Sequence, residues 1–245
     1  MSSSHEAQGR TFVRFILRER IEHAVQIVSF SSLVITGVAQ KFNEHPNAEA
    51  VIQAIGGIEV VRTLHRGFGV LLIVETLFHL AVVLHSVVIK REKTRMMFNL
   101  QDLRDAAQMV MYFVGLRKER ARFDRFDFRQ KSEYWSLIWG GFVMITTGLM
   151  MWFPVVTTKF ISGEFIPAAK AAHGGEGLLA FLAILIWHMY SAHLSPEVFP
   201  FDRTIFTGKI SEERMIHEHP VEYERILAEE RAAEAKAAAK PDSAA

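Results

Sequence analysis

The chain has 245 residues, half of them hydrophobic, with 28 Lys and Arg against 27 Asp and Glu and no cysteine. The lack of cysteine excludes disulfides, iron–sulfur ligation and covalent attachment of a haem through a C-x-x-C-H motif. The net charge of +1 and mean hydropathy of +0.14 hide a strong segregation, because long apolar blocks alternate with highly charged ones.

Residues 1–20 carry four Arg and no apolar core, which is not the pattern of a secretory signal and reads as a cytoplasmic arm. Crossing a bilayer core as helix takes ~20 apolar residues. Four segments qualify, beginning with Ile21 to Gln40, which opens on Glu22 and His23. The second, Gly67 to Ile89, has Glu75 as its only charge. The loop 90–133 that follows contains an amphipathic stretch from Asp102 to Gly115, expected to lie at the inner interface, and then a basic run from Arg117 to Arg129. The third and fourth segments are Tyr134 to Pro154 and Ala171 to Leu194. The tail 195–245 turns charged and Ala-rich after Glu212, which predicts a solvated helix without function and a disordered Pro-Asp-Ser-Ala-Ala end.

Lys and Arg orient these segments. The arm carries four, the loop 90–133 twelve and the tail seven, whereas the loops 41–66 and 155–170 carry three and two. Both termini and the middle loop are therefore expected on the cytoplasmic side. The fold class that follows is an all-α membrane protein, a four-helix bundle over residues 21–194.

The histidines have a pattern. His65 and His79 are separated by 14 positions, His173 and His188 by 15. Each pair lies roughly on one helix face and spans ~21–22 Å along the axis. An imidazole at bilayer depth is costly and faces the bundle interior. Neutral imidazole is a good iron ligand, and two of them fill both axial positions of a haem. Two such helices face to face would hold two b-type haems, one near each membrane surface. A weak repeat supports this: Glu22 precedes Thr36-Gly37 as Glu133 precedes Thr147-Gly148, at an offset of 111, and the histidine pairs match at 108 and 109. In that symmetrical picture His65 faces His173 and His79 faces His188. Gly37, Gly67, Gly69, Gly140, Gly141, Gly148, Gly174, Gly175 and Gly177 leave room for close helix packing or a flat macrocycle. Arg62 and Arg66 on one side, and Arg14, Arg18 and Arg20 on the other, offer cations for haem propionates. His85 and His193 each read as an interfacial histidine or as a partner in an interhelical hydrogen bond. His5, His45, His217 and His219 fall on loops or tails and are expected in solvent.

Five stretches stand out together: Arg14 to His23 with Thr36-Gly37, Leu64-His65-Arg66-Gly67-Phe68-Gly69, Asp102-Leu103-Arg104-Asp105 with Tyr112 to Lys118, Glu133-Tyr134-Trp135 with Thr147-Gly148, and His173 through Pro200. With them the chain resembles formate dehydrogenase gamma subunits and the related four-helix cytochromes b of nickel–iron hydrogenases and thiosulfate reductases. The resemblance implies two haem b, a quinone substrate, and a bacterial inner-membrane location. It also implies an iron–sulfur or multihaem subunit and a catalytic subunit on the periplasmic side. By resemblance the outer haem falls to His65 and His173 and the inner one to His23 and His188. Spacing instead nominates His79 opposite His188, so both alternatives stand at this stage. Quinone chemistry needs protonatable groups, for which Asp127, Glu133, Tyr134 and Asp102 are the inner-surface candidates, with Trp135 as an apolar wall. Their plainer readings are interfacial anchoring and a solvated face.

The expected role is a quinone-reactive electron-transfer subunit of a respiratory complex rather than a catalyst on its own, with no nucleic-acid partner. Running in reverse it would oxidise quinol for a periplasmic reductase. A histidine-lined metal-ion transporter would need carboxylates among the midplane histidines, and only Glu75 offers itself. A structural anchor with redox-inert histidines is the third possibility.

Overall fold

The computed structural model describes residues 9–92 and 94–238. The Pro-Asp-Ser-Ala-Ala end and His5 lie outside them. The described chain is mostly helical, with one short antiparallel ribbon that the all-α expectation lacked: β1 (Thr11–Val13) pairs with β2 (Lys209–Ser211), Phe12 opposite Ile210. Alternating burial on three-residue strands gives hydropathy too little to register.

Helix α1 (Leu17–Lys41) starts where Glu19 reaches back to accept the Ile16 N–H at 3.0 Å. Within the loop predicted over 41–66 lies α2 (Pro46–Ile55), capped by His45, whose Nδ1 accepts the Asn47 N–H at 3.3 Å. Gly56 and Gly57, at φ +117° and +97°, turn the chain directly into α3 (Ile58–Leu84), which begins nine residues before Gly67. A π-helical turn, His85–Ile89, prolongs α3. Next come α4 (Leu100–Phe113), α5 (Phe128–Trp152), α6 (Pro154–Thr157) and α7 (Phe165–Leu182). Helix α7 continues through π-helical turns at Ala183–His188 and Tyr190–Leu194. The chain closes with α8 (Thr204–Thr207), α9 (Glu212–Glu218) and α10 (Pro220–Ala238). Among the described residues, four helices are long and apolar enough to cross a membrane: Leu17–Lys41, Ile58–Ile89, Phe128–Trp152 and Phe165–Leu194.

The chain divides into two compact units. One, residues 16–92 and 135–206, is the helical bundle. Its buried positions are mostly small or polar (Ser29, Thr36, Ala39, Ala169), while Val74, Leu77, Phe78, Trp139 and Ile186 point outward. That inversion of a water-soluble core suits helices that pack through small residues and face lipid. The other unit gathers residues 9–15, 94–134 and 207–238. Phe12, Ile210 and Met215 form its apolar core, against Tyr223 and Ile226.

The tail is thus packed around Met215, His219 and Glu222, while residues 231–238 are exposed as expected. Glu222 is 2% exposed and accepts from Arg14 and Arg125 at 3.0 Å each and from Arg95 at 3.4 Å. His219, expected in solvent, is buried, and its Nδ1–H donates to the Asp124 carbonyl at 2.9 Å. Burial, reinforced by the charge of Arg14, lowers the His219 imidazole from its ordinary 6.5 to about 4. The unfolded chain therefore binds a proton at a pH where the folded unit does not. Stability falls as pH drops from about 6.5 toward 4, by up to roughly 3 kcal/mol. Protease digestion of residues 94–134 and 207–238 is expected to accelerate over that window, and His219→Gln to flatten the dependence.

Candidate functional site

The bundle brings four histidines into two facing pairs. His65 on α3 and His173 on α7 have ring centroids 6.2 Å apart. His23 on α1 and His188, at the end of the first π-helical turn after α7, have centroids 6.3 Å apart. With metal–imidazole bonds of ~2.0–2.1 Å and a ring centroid ~1.1 Å from its nitrogen, two imidazoles on opposite sides of one metal put their centroids ~6.3 Å apart. Both pairs have that spacing.

The first pair also has a defined tautomer. Thr36 donates its hydroxyl proton to the Ser32 carbonyl at 2.6 Å, so its oxygen accepts Nδ1–H from His65 at 2.8 Å. Thr147 does the same across the bundle, donating to the Val143 carbonyl at 2.6 Å and accepting from His173 Nδ1 at 3.0 Å. A proton held on Nδ1 leaves the Nε2 lone pair of each ring for a metal. The adjacent glycines make room for the rings. A Cβ at Gly37 would come within 3.2 Å of His65 Cε1, and one at Gly148 within 3.2 Å of His173 Cε1. The Thr-Gly repeat visible in the sequence is therefore a pair of ring holders; its recurrence was legible, its role was not.

His79, the alternative nominated by spacing, has a carboxylate partner: its Nδ1 lies 2.9 Å from Glu22 Oε2. His193 is buried and stacks on Phe201 at 4.3 Å with rings 5° from parallel. His45 caps α2, and His85 opens the π-helical turn after α3.

The arginines nominated for propionates have other partners here. Arg62 pairs with Glu59 at 2.7 Å, Arg66 lies over the Trp152 ring at 5.6 Å, and Arg18 pairs with Glu22 at 2.5 Å. Arg20 donates to the Phe206 carbonyl, and Arg14 is buried against Glu222. Of the quinone candidates, Asp127 caps α5, accepting the Arg129 and Gln130 N–H groups at 2.8 and 2.9 Å, and pairs with the Arg129 guanidinium at 2.6 Å. Asp102 caps α4 with Asn99 and is bonded by Lys131 Nζ at 2.7 and 2.9 Å. Both are buried rather than on a solvated face. Glu133 and Tyr134 are half-buried on the second turn of α5, next to Trp135.

The sequence profile of the prokaryotic cytochrome b561 family matches residues 14–199, which include all four paired histidines. The chain belongs to this family. It is a multi-pass membrane cytochrome of the b type with an electron-transfer role. The cytochrome is similar to the cytochrome b556(Fdn) subunit of the nitrate-inducible formate dehydrogenase of Escherichia coli K12. The two are 22% identical over 220 residues, 90% of this chain and 94% of that one. It is 23% identical to the cytochrome b556(fdo) subunit of a formate dehydrogenase from the same strain, over 74% of this chain and 79% of that protein. A formate dehydrogenase cytochrome b556 subunit of Haemophilus influenzae is 24% identical over 78% of this chain and 75% of its own length.

Proposed function

We propose that this cytochrome is the membrane subunit of a formate dehydrogenase-like respiratory complex. In this reading it takes electrons from an iron–sulfur or multihaem partner on the periplasmic side and passes them through two b haems to quinone near the cytoplasmic side. The observation that carries it is the pair geometry: two facing histidine pairs at 6.2 and 6.3 Å, the first with both Nδ1 protons held by threonine. His65 and His173 would hold the outer haem, and His23 and His188 the inner one. Formate dehydrogenase subunits among the relatives support the partner assignment.

When bound, b haem supplies a one-electron Fe(III)/Fe(II) couple. His65 and His173, and His23 and His188, would hold it with two imidazoles each, which would leave no ligand position open to oxygen or substrate. Thr36 and Thr147 keep those rings in the ligating tautomer. His173 and His188 are 15 positions apart on one helix, ~20–22 Å, so an electron passed between their levels crosses most of the bilayer core. A full crossing is worth ~2.3 kcal/mol per 100 mV of membrane potential. The bias of Lys and Arg supports cytoplasmic termini and a cytoplasmic loop 90–133 in a bacterial inner membrane. In that loop α4 buries Asp102, Asp105 and Met109 and turns Leu100, Leu103, Val110 and Phe113 outward, an apolar stripe suited to the lipid interface. Quinone reduction takes protons with its electrons. We assign proton exchange to Glu133 and Tyr134, which are half-buried on the second turn of α5 and so within reach of water.

Extraction in mild detergent tests the reading. The expected result is a reduced-minus-oxidised spectrum with a low-spin b-type α band, two haems per chain by pyridine haemochrome, reoxidation by a quinone analogue, and copurification of an iron–sulfur or multihaem subunit. A protein with its spans intact and no α band would rule it out.

A further inference from the structure

We propose that Glu75 is a membrane-embedded proton site whose occupancy follows the electron at the His23–His188 pair; this rests on the haem reading above. Glu75 lies between the histidine levels of α3, ten residues from His65 and four from His79, ~15 Å and ~6 Å along the axis. A carboxylate at that depth is costly and marks ion or proton pathways.

Helix α1 serves it with a polar stripe. Glu22, Gln26 and Ser29 recur at spacings of four and three, on one face. The Ser29 hydroxyl, fully buried, lies 3.3 Å from Glu75 Oε2. The Gln26 amide, oriented by its surroundings with nitrogen toward α3, donates to both Glu75 oxygens at 3.1 Å. One turn nearer the N-terminal end of α1 stand the Glu22–His79 and Arg18–Glu22 contacts, 2.9 and 2.5 Å. Glu22 and His79 are the titratable groups that act electrostatically on Glu75. The stripe therefore runs from Arg18, in the first turn of α1, to Glu75 midway through the span.

The contacts to Glu75 described above come from Ser29 and Gln26 and not from the paired histidines. Its role follows from its neighbour: Gln26, which binds Glu75, is one turn from His23. An ionised carboxylate there disfavours an added electron, and protonation removes the like charge. As one electron arrives and iron goes from Fe(III) to Fe(II), Glu75 takes one proton from cytoplasmic water and becomes a carboxylic acid. When the electron leaves, the proton leaves with it.

Potentiometric titration of the purified cytochrome at several pH values tests this, with an added chemical reductant as electron source. The inner-haem midpoint potential of the wild type is expected to fall as pH rises, by at most ~59 mV per tenfold change in proton concentration for a one-electron couple. Glu75→Gln is expected to abolish the fall and Glu75→Asp to keep it. In the wild type, the reduced-minus-oxidised infrared spectrum should gain a carboxylic-acid C=O stretch that shifts in D2O. An unchanged pH slope in Glu75→Gln overturns the proposal. So does a wild-type infrared spectrum without that band, which decides the matter even where the variant fails to assemble. Absence of the α band in the wild type would instead bring down the haem reading.

Discussion

If the proposed function holds, His173→Ala is expected to lower the haem content from two per chain to one and to stop electron flow from the proposed periplasmic partner to quinone. The reasoning starts from the ring pair. His65 and His173 stand 6.2 Å apart and would hold one haem between them, so removing either ring would take away one of the two imidazoles that retain it. Pyridine haemochrome and the amplitude of the low-spin α band read the loss directly. A graded series separates ligation from packing. Thr147→Val keeps the His173 ring but takes away the acceptor of its Nδ1–H at 3.0 Å. Loss of such an outer hydrogen bond costs roughly 10–100-fold in metal affinity. Gly148→Ala places a methyl 3.2 Å from His173 Cε1, which forces the ring to shift by a few tenths of an ångström and should move the outer-haem potential with little loss of haem. The expected order of haem loss is His173→Ala, then Thr147→Val, then Gly148→Ala. Full haem content in His173→Ala would end the assignment of that pair.

The sequence displays the bundle well and the other unit hardly at all, for one physical reason. Lipid-facing helices advertise themselves by hydropathy, so all four spans were visible, with ends displaced by up to nine residues where Glu59 and Arg62 dilute the start of α3 without breaking its helix. Residues on one helix face are legible from a 3.6-residue period. Which helix stands opposite is not. The 14-residue spacing could nominate His79, while only resemblance pointed to His23, the ring that the structure sets 6.3 Å from His188. The Thr-Gly repeat was equally visible, yet its use depends on a hydroxyl proton going to the i−4 carbonyl. The second unit is assembled from three separate segments around an ionic centre. No local pattern announces that Glu222 is buried, because its partner Arg14 is 208 positions away. A charged, Ala-rich tail therefore reads as solvated until that pairing is seen.

That ionic centre gives the other large expected effect. Glu222→Ala should destabilise the unit by about 3–5 kcal/mol, the cost of breaking a buried ion pair from one side. Its carboxylate is a hub: Arg14 and Arg125 donate to it at 3.0 Å, Arg95 at 3.4 Å, and Arg225 stands at 3.8 Å. Burial, with repulsion from Arg125, already lowers the Arg14 guanidinium to about 10, and Glu222 is the largest influence opposing that fall. Without Glu222 the buried guanidiniums face one another with no carboxylate between them. Arg14→Met removes only one spoke, because Arg125 and Arg95 still reach Glu222, so it should cost less. Glu222→Gln keeps the shape and an acceptor oxygen but not the charge, and should fall close to Glu222→Ala. Small domains are held by about 5–15 kcal/mol in total, so the larger loss is enough to open the unit in a measurable fraction of molecules. Limited proteolysis in native membranes reads this as faster cleavage within 94–134 and 207–238, while the α band of the bundle persists. Cleavage of Glu222→Ala at the wild-type rate, or a greater loss in Arg14→Met than in Glu222→Ala, would show that the hub does not organise the unit. The persistence of the α band matters as much as the cleavage, because it distinguishes the opening of one unit from collapse of the whole chain.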